Sequence, residues 1–221
     1  MTFVVACGLK REARVIDKAG RDVFAVAGGG DSERLRRELD DMIELFPGVV
    51  VSSGLAGALD PTLKPGDVVL AGDPVFIAKV RAALPEAIIG GVVTSDTVVA
   101  TAADKMALRA RTGAIAVDME SGIAEQVARQ RGLPFGILRV ISDGANEELP
   151  EAVRVGMRPD GGIALGNILT SLARNPTQLP ALMRMGSQSG LAFRELGRVY
   201  DVLGRVGILG LDLGEFTLDV G

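Results

Sequence analysis

The chain has 221 residues, 48% of them hydrophobic and 24% charged, which is enough apolar material for one domain with a substantial core. Its 28 acidic residues outnumber its 24 basic ones, giving a formal charge of -4; this speaks against a nucleic-acid partner, whose phosphates call for an excess of Lys and Arg. With no histidine and a single cysteine, Cys7, the chain can build neither a Ser-His-Asp nor a Cys-His nucleophile and no His- or thiolate-ligated metal site, so proton traffic falls to carboxylates and water and no metal is expected.

In chain order, apolar or β-branched runs bounded by Gly and Pro predict strands over Thr2 to Cys7, Val23 to Ala27, Val49 to Ser52, Asp67 to Leu70, Ala87 to Val93, Ile115 to Val117 and Phe135 to Ile141. A helix is predicted from Asp31 to Phe46, capped by Asp31, with an apolar stripe of Leu35, Leu39, Met42, Ile43 and Phe46. Another is predicted from Ser121 to Arg131, where Ile123, Ala124, Val127 and Ala128 recur at helical spacing. Two further helices, Gly161 to Arg174 and Leu179 to about Leu203, flank the Asn175-Pro176 break. Alternating strands and helices favour a single domain over 1–221, an α/β three-layer sandwich with ligands at the carboxyl ends of its strands. The last stretch, Gly204 to Gly221, is apolar and Gly-punctuated, and its pattern fixes no conformation.

Met1 to Gly8 leads straight into Lys10-Arg11-Glu12, which is unlike a cleavable signal sequence, and apolar runs stop short of the roughly 20 residues of a spanning helix. A cytoplasmic protein is expected, with contact at the inner face of a membrane left open. A homodimer or higher homo-oligomer is expected as well.

Three short segments carry the candidate chemistry. Ser52-Ser53-Gly54-Leu55-Ala56-Gly57, continuing to Asp60-Pro61-Thr62-Leu63-Lys64-Pro65-Gly66-Asp67, reads as a loop where glycines admit backbone close to a ligand. Ala116-Val117-Asp118-Met119-Glu120-Ser121 puts a carboxylate at a helix start, and Leu138-Arg139-Val140-Ile141-Ser142-Asp143-Gly144 puts another at a strand end. Singly, each has a plainer explanation. Gly54 and Gly57 suit a turn, Glu120 suits the helix dipole, and Asp143 before Gly144 suits a turn former.

Together, in this order and spacing, the three segments resemble the nucleoside phosphorylase family, in particular its methylthioadenosine/S-adenosylhomocysteine nucleosidase branch, over about residues 1 to 150. Gly54 to Val68 resembles the family's first signature, Ala116 to Glu120 its ribose-binding segment and Arg139 to Asp143 its base-binding segment; Glu12 falls where the nucleosidases carry a glutamate. The resemblance implies a three-layer α/β/α sandwich with a mixed central sheet, and an enzyme that cuts a purine from ribose. Asp143 is then the acid at purine N7, with Ser142 as its hydrogen-bonding neighbour. Glu120 accepts the ribose 2′- and 3′-hydroxyls, Met119 packs on the ribose face, Glu12 activates water, and Arg139 organises the nucleophile side. Ser52, Ser53, Gly54, Leu55, Gly57, Val98 and Val99 complete the expected substrate contacts.

Departures from the family pattern bear on substrate and nucleophile. Leu55 replaces a serine of the nucleosidase loop, Val98 replaces a base-stacking aromatic, and 71–91 is shorter than its counterpart around the sugar's 5′ side. The arginines that phosphorolytic relatives use are unmatched, although Lys10 and Arg11 could serve a phosphate, so both hydrolysis and phosphorolysis stand and phosphate is a candidate co-substrate; no other cofactor is expected. Met157-Arg158-Pro159-Asp160-Gly161, Gln178-Leu179-Pro180-Ala181-Leu182 and Ala192-Phe193-Arg194 resemble the tail of the hopanoid-associated phosphorylases, which remove adenine from adenosylhopane. The expected ligand is thus a small-molecule or lipid-linked purine nucleoside. Methylthioadenosine/S-adenosylhomocysteine hydrolysis is the first alternative, and a non-catalytic nucleoside-binding protein the second. A dinucleotide-dependent oxidoreductase is disfavoured, because Gly28-Gly29-Gly30 lacks the Gly-x-Gly-x-x-Gly spacing.

Overall fold

The computed structural model describes residues 2–150, 170–171 and 174–205. Eight strands, β1 (Thr2–Cys7), β2 (Val23–Ala27), β3 (Gly48–Ala58), β4 (Val68–Gly72), β5 (Ile88–Ile89), β6 (Val92–Thr94), β7 (Ala116–Asp118) and β8 (Phe135–Asp143), form one sheet. The main helices among the described residues are α1 (Lys10–Ile16), α2 (Ser32–Leu45), α3 (Pro74–Ala83), α4 (Ala102–Thr112), α5 (Ser121–Gln130) and α6 (Leu179–Arg205).

The sheet runs β2-β1-β3-β8-β4-β5, with β7 pairing the far end of β3 and β6 pairing β7. It is mixed, because β4 meets β8 and β7 meets β3 antiparallel while the other neighbours are parallel. Strand alternation sorts the core onto two faces. Phe3, Val5, Cys7, Val49 and Val51 pack with Ile16 of α1, Phe76 and Val80 of α3, and Leu196, Val199 and Leu203 of α6. Val4, Ala6 and Val50 pack with Leu35, Leu39 and Ile43 of α2 and with Ala124, Val127 and Ala128 of α5. Burying each such leucine or isoleucine contributes about 1.5–3 kcal/mol. This is the α/β/α sandwich with a mixed central sheet, and Asp31 caps α2 as expected, accepting from the Arg34 amide at 2.9 Å.

Several boundaries differ from the sequence reading. The glycine-bearing segment after Ser52 is not a loop: β3 continues through Gly54, at φ +138°, to Ala58, with a register shift at Ala56/Gly57. Glycine inside a strand marks a bend or a close approach here, not its end. The single strand expected over Ala87 to Val93 is two, because β5 follows β4 whereas β6 leaves at Gly90-Gly91 to join β7. A Cβ at Gly90 would lie 2.3 Å from Ile115, so the crossing needs glycine. Helices α1, α3 and α4 carry no stripe strong enough to be predicted. Val199, Tyr200 and Leu203, near the end of α6, belong to the buried core. The expected helix over Gly161 to Arg174 and the stretch Gly204 to Gly221 lie almost wholly outside the described residues. Among the described residues, no helix is long and apolar enough to cross a membrane.

Candidate active site

The carboxyl ends of β1, β2, β3 and β8 open onto a cavity of about 440 Å³. Gly8, Leu9 and Glu12 enter it from the β1–α1 connection, Gly29 and Gly30 from the end of β2, and Leu55, Ala56 and Gly57 from β3. Val117 to Glu120 enter from β7 and the start of α5, Ser142 and Asp143 from the end of β8, and Thr97, Val98 and Val99 from the segment after β6. Leu149, together with Met185 and Ser189 of α6, closes the remaining wall.

One end of the cavity is built around a guanidinium. Arg139, fully buried, donates from Nη2 to Ser52 Oγ at 2.5 Å and Glu120 Oε2 at 3.2 Å, and the same nitrogen is ion-paired with Asp118 Oδ2 at 2.7 Å. Beside it, Glu12 accepts from the backbone amides of Gly8 (2.9 Å), Leu9 (2.7 Å) and Leu55 (2.8 Å). Two glycines make room for these carboxyls. A Cβ at Gly54 would stand 2.8 Å from the Glu12 carboxyl, and one at Gly8 would stand 2.7 Å from Glu120 Oε1. Burial pushes the Glu120 carboxyl up to about 7, with Arg139 opposing and the charges of Asp118 and Glu12 adding to the rise. Burial also raises Glu12, against the pull of Arg139 and of its three amide donors. Three carboxyls around one cation cannot all ionise cheaply.

The other end is built around an ammonium. Lys105, 1% exposed on α4, donates to Asp143 Oδ2 at 2.5 Å, to Gly144 O at 2.8 Å and to Glu147 O at 3.1 Å. The second Asp143 oxygen accepts from Ser142 Oγ at 2.7 Å. Charge is balanced here, and the carboxyl is held by both oxygens on the cavity wall.

Of the residues expected from sequence, Glu12, Leu55, Gly57, Val98, Val99, Met119, Glu120, Ser142 and Asp143 line one cavity. Ser52, Ser53, Gly54 and Arg139 do not line it. Ser52 and Arg139 stand behind the wall as each other's partners, Gly54 gives space to Glu12, and Ser53 turns to the opposite face of β3 beside Tyr200 of α6. Where Leu55 replaces a serine, its backbone amide still binds Glu12. Arg11 stacks over the Phe193 ring at 4.0 Å, and neither it nor Lys10 lines the cavity; no residue of 71–91 lines it either.

Sequence reasoning did not single out Lys105, Asp118, Gly8, Met185 or Ser189. The Thr101 cap and the left-handed Gly113 that bound α4 were visible signals for that helix. Nothing distinguished its Lys105 from the neighbouring Arg109 and Arg111.

Residues 72–173 match the Phosphorylase superfamily, a span that holds Val98, Met119, Glu120 and Asp143 while Glu12 and β3 precede it. Among solved structures, the 5′-methylthioadenosine/S-adenosylhomocysteine nucleosidase of Colwellia psychrerythraea, in complex with adenine, is similar at a TM-score of 0.61 and 20% identity, over 78% of this chain and 96% of that one. Futalosine hydrolase of Helicobacter pylori is similar at a TM-score of 0.62 and 17% identity, over 90% and 97%. A nucleosidase of S. pneumoniae with a transition-state inhibitor is similar at 0.59 and 18%, over 89% and 99%. The fold is that of the nucleoside phosphorylases and nucleosidases.

Proposed function

We propose that the cavity cleaves the N-ribosyl bond of a purine nucleoside, releasing adenine, with water as the nucleophile. The observation that carries the reading is one cavity with Asp143 on one wall and the Glu12/Glu120 pair on another. Cleavage builds positive charge on the sugar and negative charge on the purine, so an acid is needed at the base and carboxylates at the sugar. Asp143 gives the leaving purine a proton at N7, steadied by Ser142. Glu120 accepts the ribose 2′- and 3′-hydroxyls and Met119 packs on the sugar. Glu12, held by three backbone amides, takes a proton from the attacking water. Water is favoured over phosphate because the described lining holds four carboxylates and neither Lys nor Arg.

The proposed natural substrate is adenosylhopane. Leu55, Val98, Val99, Leu149 and Met185 give the cavity an apolar surface, and α6 exposes Leu179, Met183 and Leu191 beyond it. These features favour a large apolar 5′ substituent, met at a membrane or micelle surface. The test is adenine release from adenosylhopane in micelles and from methylthioadenosine in solution. Faster turnover of the lipid nucleoside is expected. Far faster turnover of methylthioadenosine would assign the cavity to small-molecule nucleosides, and binding of both without adenine release would make the protein a nucleoside-binding one.

A further inference from the structure

We propose that Lys105 is the positioning residue of the leaving-group acid: it holds the Asp143 carboxyl against the cavity and replenishes, through Oδ2, the proton that Asp143 hands to the purine. The proposal rests on the reading of Asp143 as that acid. Its basis is geometric. The three ammonium hydrogens of Lys105 meet three acceptors, one of them Asp143 Oδ2 at 2.5 Å, and Lys105 itself does not line the cavity. Whatever it does for the reaction therefore passes through Asp143.

The surrounding elements fix both partners. Arg109, one helical turn along α4, pairs with Asp60 after β3 and orients the helix. The turn after Asp143 is fastened by Glu147, whose carboxylate accepts from the Gly144 amide at 3.0 Å and from Gln188 of α6 at 2.8 Å. Glu147 Oε2 is thus committed to that turn, and Lys105 takes only its backbone carbonyl. The carboxylate that faces the ammonium is that of Asp143.

The protons balance as follows. As the C–N bond breaks, its electron pair stays with the purine, whose N7 takes a proton through the Asp143 carboxylate, which draws it at Oδ2 from the Lys105 ammonium. This leaves a neutral amine on Lys105, a neutral adenine and a cationic sugar. Water adds to the sugar, losing one proton to Glu12, and that proton returns through solvent to Lys105. The sum is nucleoside plus water giving adenine plus the ribosyl product.

The experiment compares two leaving groups on wild-type protein and Lys105→Met. Methylthioadenosine needs a proton at N7, whereas p-nitrophenyl β-D-riboside expels p-nitrophenolate without one. In the variant, kcat for adenine release should fall about 100-fold with KM within about threefold, while p-nitrophenyl riboside cleavage stays within about threefold of wild type. Equal losses on both substrates would reduce Lys105 to a structural clamp and overturn the proposal. If Lys105→Met does not fold, the double variant Lys105→Met/Asp143→Asn, which buries no unpaired charge, is set against Asp143→Asn alone. Equal adenine release from the two supports a role exercised only through Asp143, and a further tenfold loss in the double variant overturns it. Absence of adenine release from any riboside by the wild-type protein would remove the underlying reading of the cavity, and this proposal with it.

Discussion

The two ends of the cavity are charged by opposite strategies. Around Arg139, three carboxyls share one cation, and the excess is absorbed by pushing Glu12 and Glu120 up in pKa. Around Asp143, one carboxylate meets one ammonium whose remaining hydrogens are taken by two carbonyls. The two ends differ in the ratio of charges that each encloses, and at the arginine end burial and the neighbouring carboxylates raise Glu120. In the proposed reaction the first end keeps proton acceptors beside the sugar cation, and the second delivers a proton and is recharged.

The largest effect that would break this contrast is at the lysine end. Asp143→Asn keeps an acceptor for Lys105 but cannot carry a proton, so kcat for adenine release should fall about 100- to 10,000-fold with the fold intact, as read by initial rates and circular dichroism. Wild-type rates would remove Asp143 from its role. At the arginine end, Glu12→Gln should cost about 100-fold in kcat, and here p-nitrophenyl riboside should suffer as much as methylthioadenosine, because water activation is common to both. Gly54→Ala presses a Cβ into the Glu12 carboxyl from a backbone at φ +138°, which should lower stability by about 1–3 kcal/mol in urea unfolding.

A smaller effect concerns pH. The folded-state pKa of Glu120, about 7, lies above its ordinary value of 4.5, so its protonated form stabilises the fold fully below about pH 4.5 and that contribution is lost as pH rises through 7. Relative to Glu120→Gln, the wild-type protein should lose up to about 3 kcal/mol between pH 5 and pH 8, given about 1.4 kcal/mol per pKa unit. A constant difference across that range would show that Glu120 ionises without cost.

How much of this was legible follows from what each residue must do. Strands buried on both faces announced themselves, and β1 and β2 begin and end where the apolar runs do. Glu120 at a helix start and Asp143 at a strand end were readable because their segments carry a family pattern. Ser52 and Arg139 carried the same pattern yet stand behind the wall, since a motif records which residues travel together and not which of them face the cavity. Lys105 was invisible for a different reason. Its partner lies 38 positions away, and a lysine on an amphipathic helix reads as solvated until the fold shows it buried.

Cleavage of a purine N-ribosyl bond by water in this cavity is read out by the identity of the products. Wild-type protein is incubated with methylthioadenosine and with adenosylhopane in ¹⁸O-labelled water, with and without phosphate, and the purine and sugar products are analysed by mass spectrometry. Adenine and a sugar carrying one ¹⁸O at its anomeric hydroxyl are expected, at a rate unaffected by phosphate. Adenine formed only with phosphate, alongside an unlabelled ribosyl 1-phosphate, would contradict the assignment of water as nucleophile, and no adenine under any condition would contradict the reaction itself.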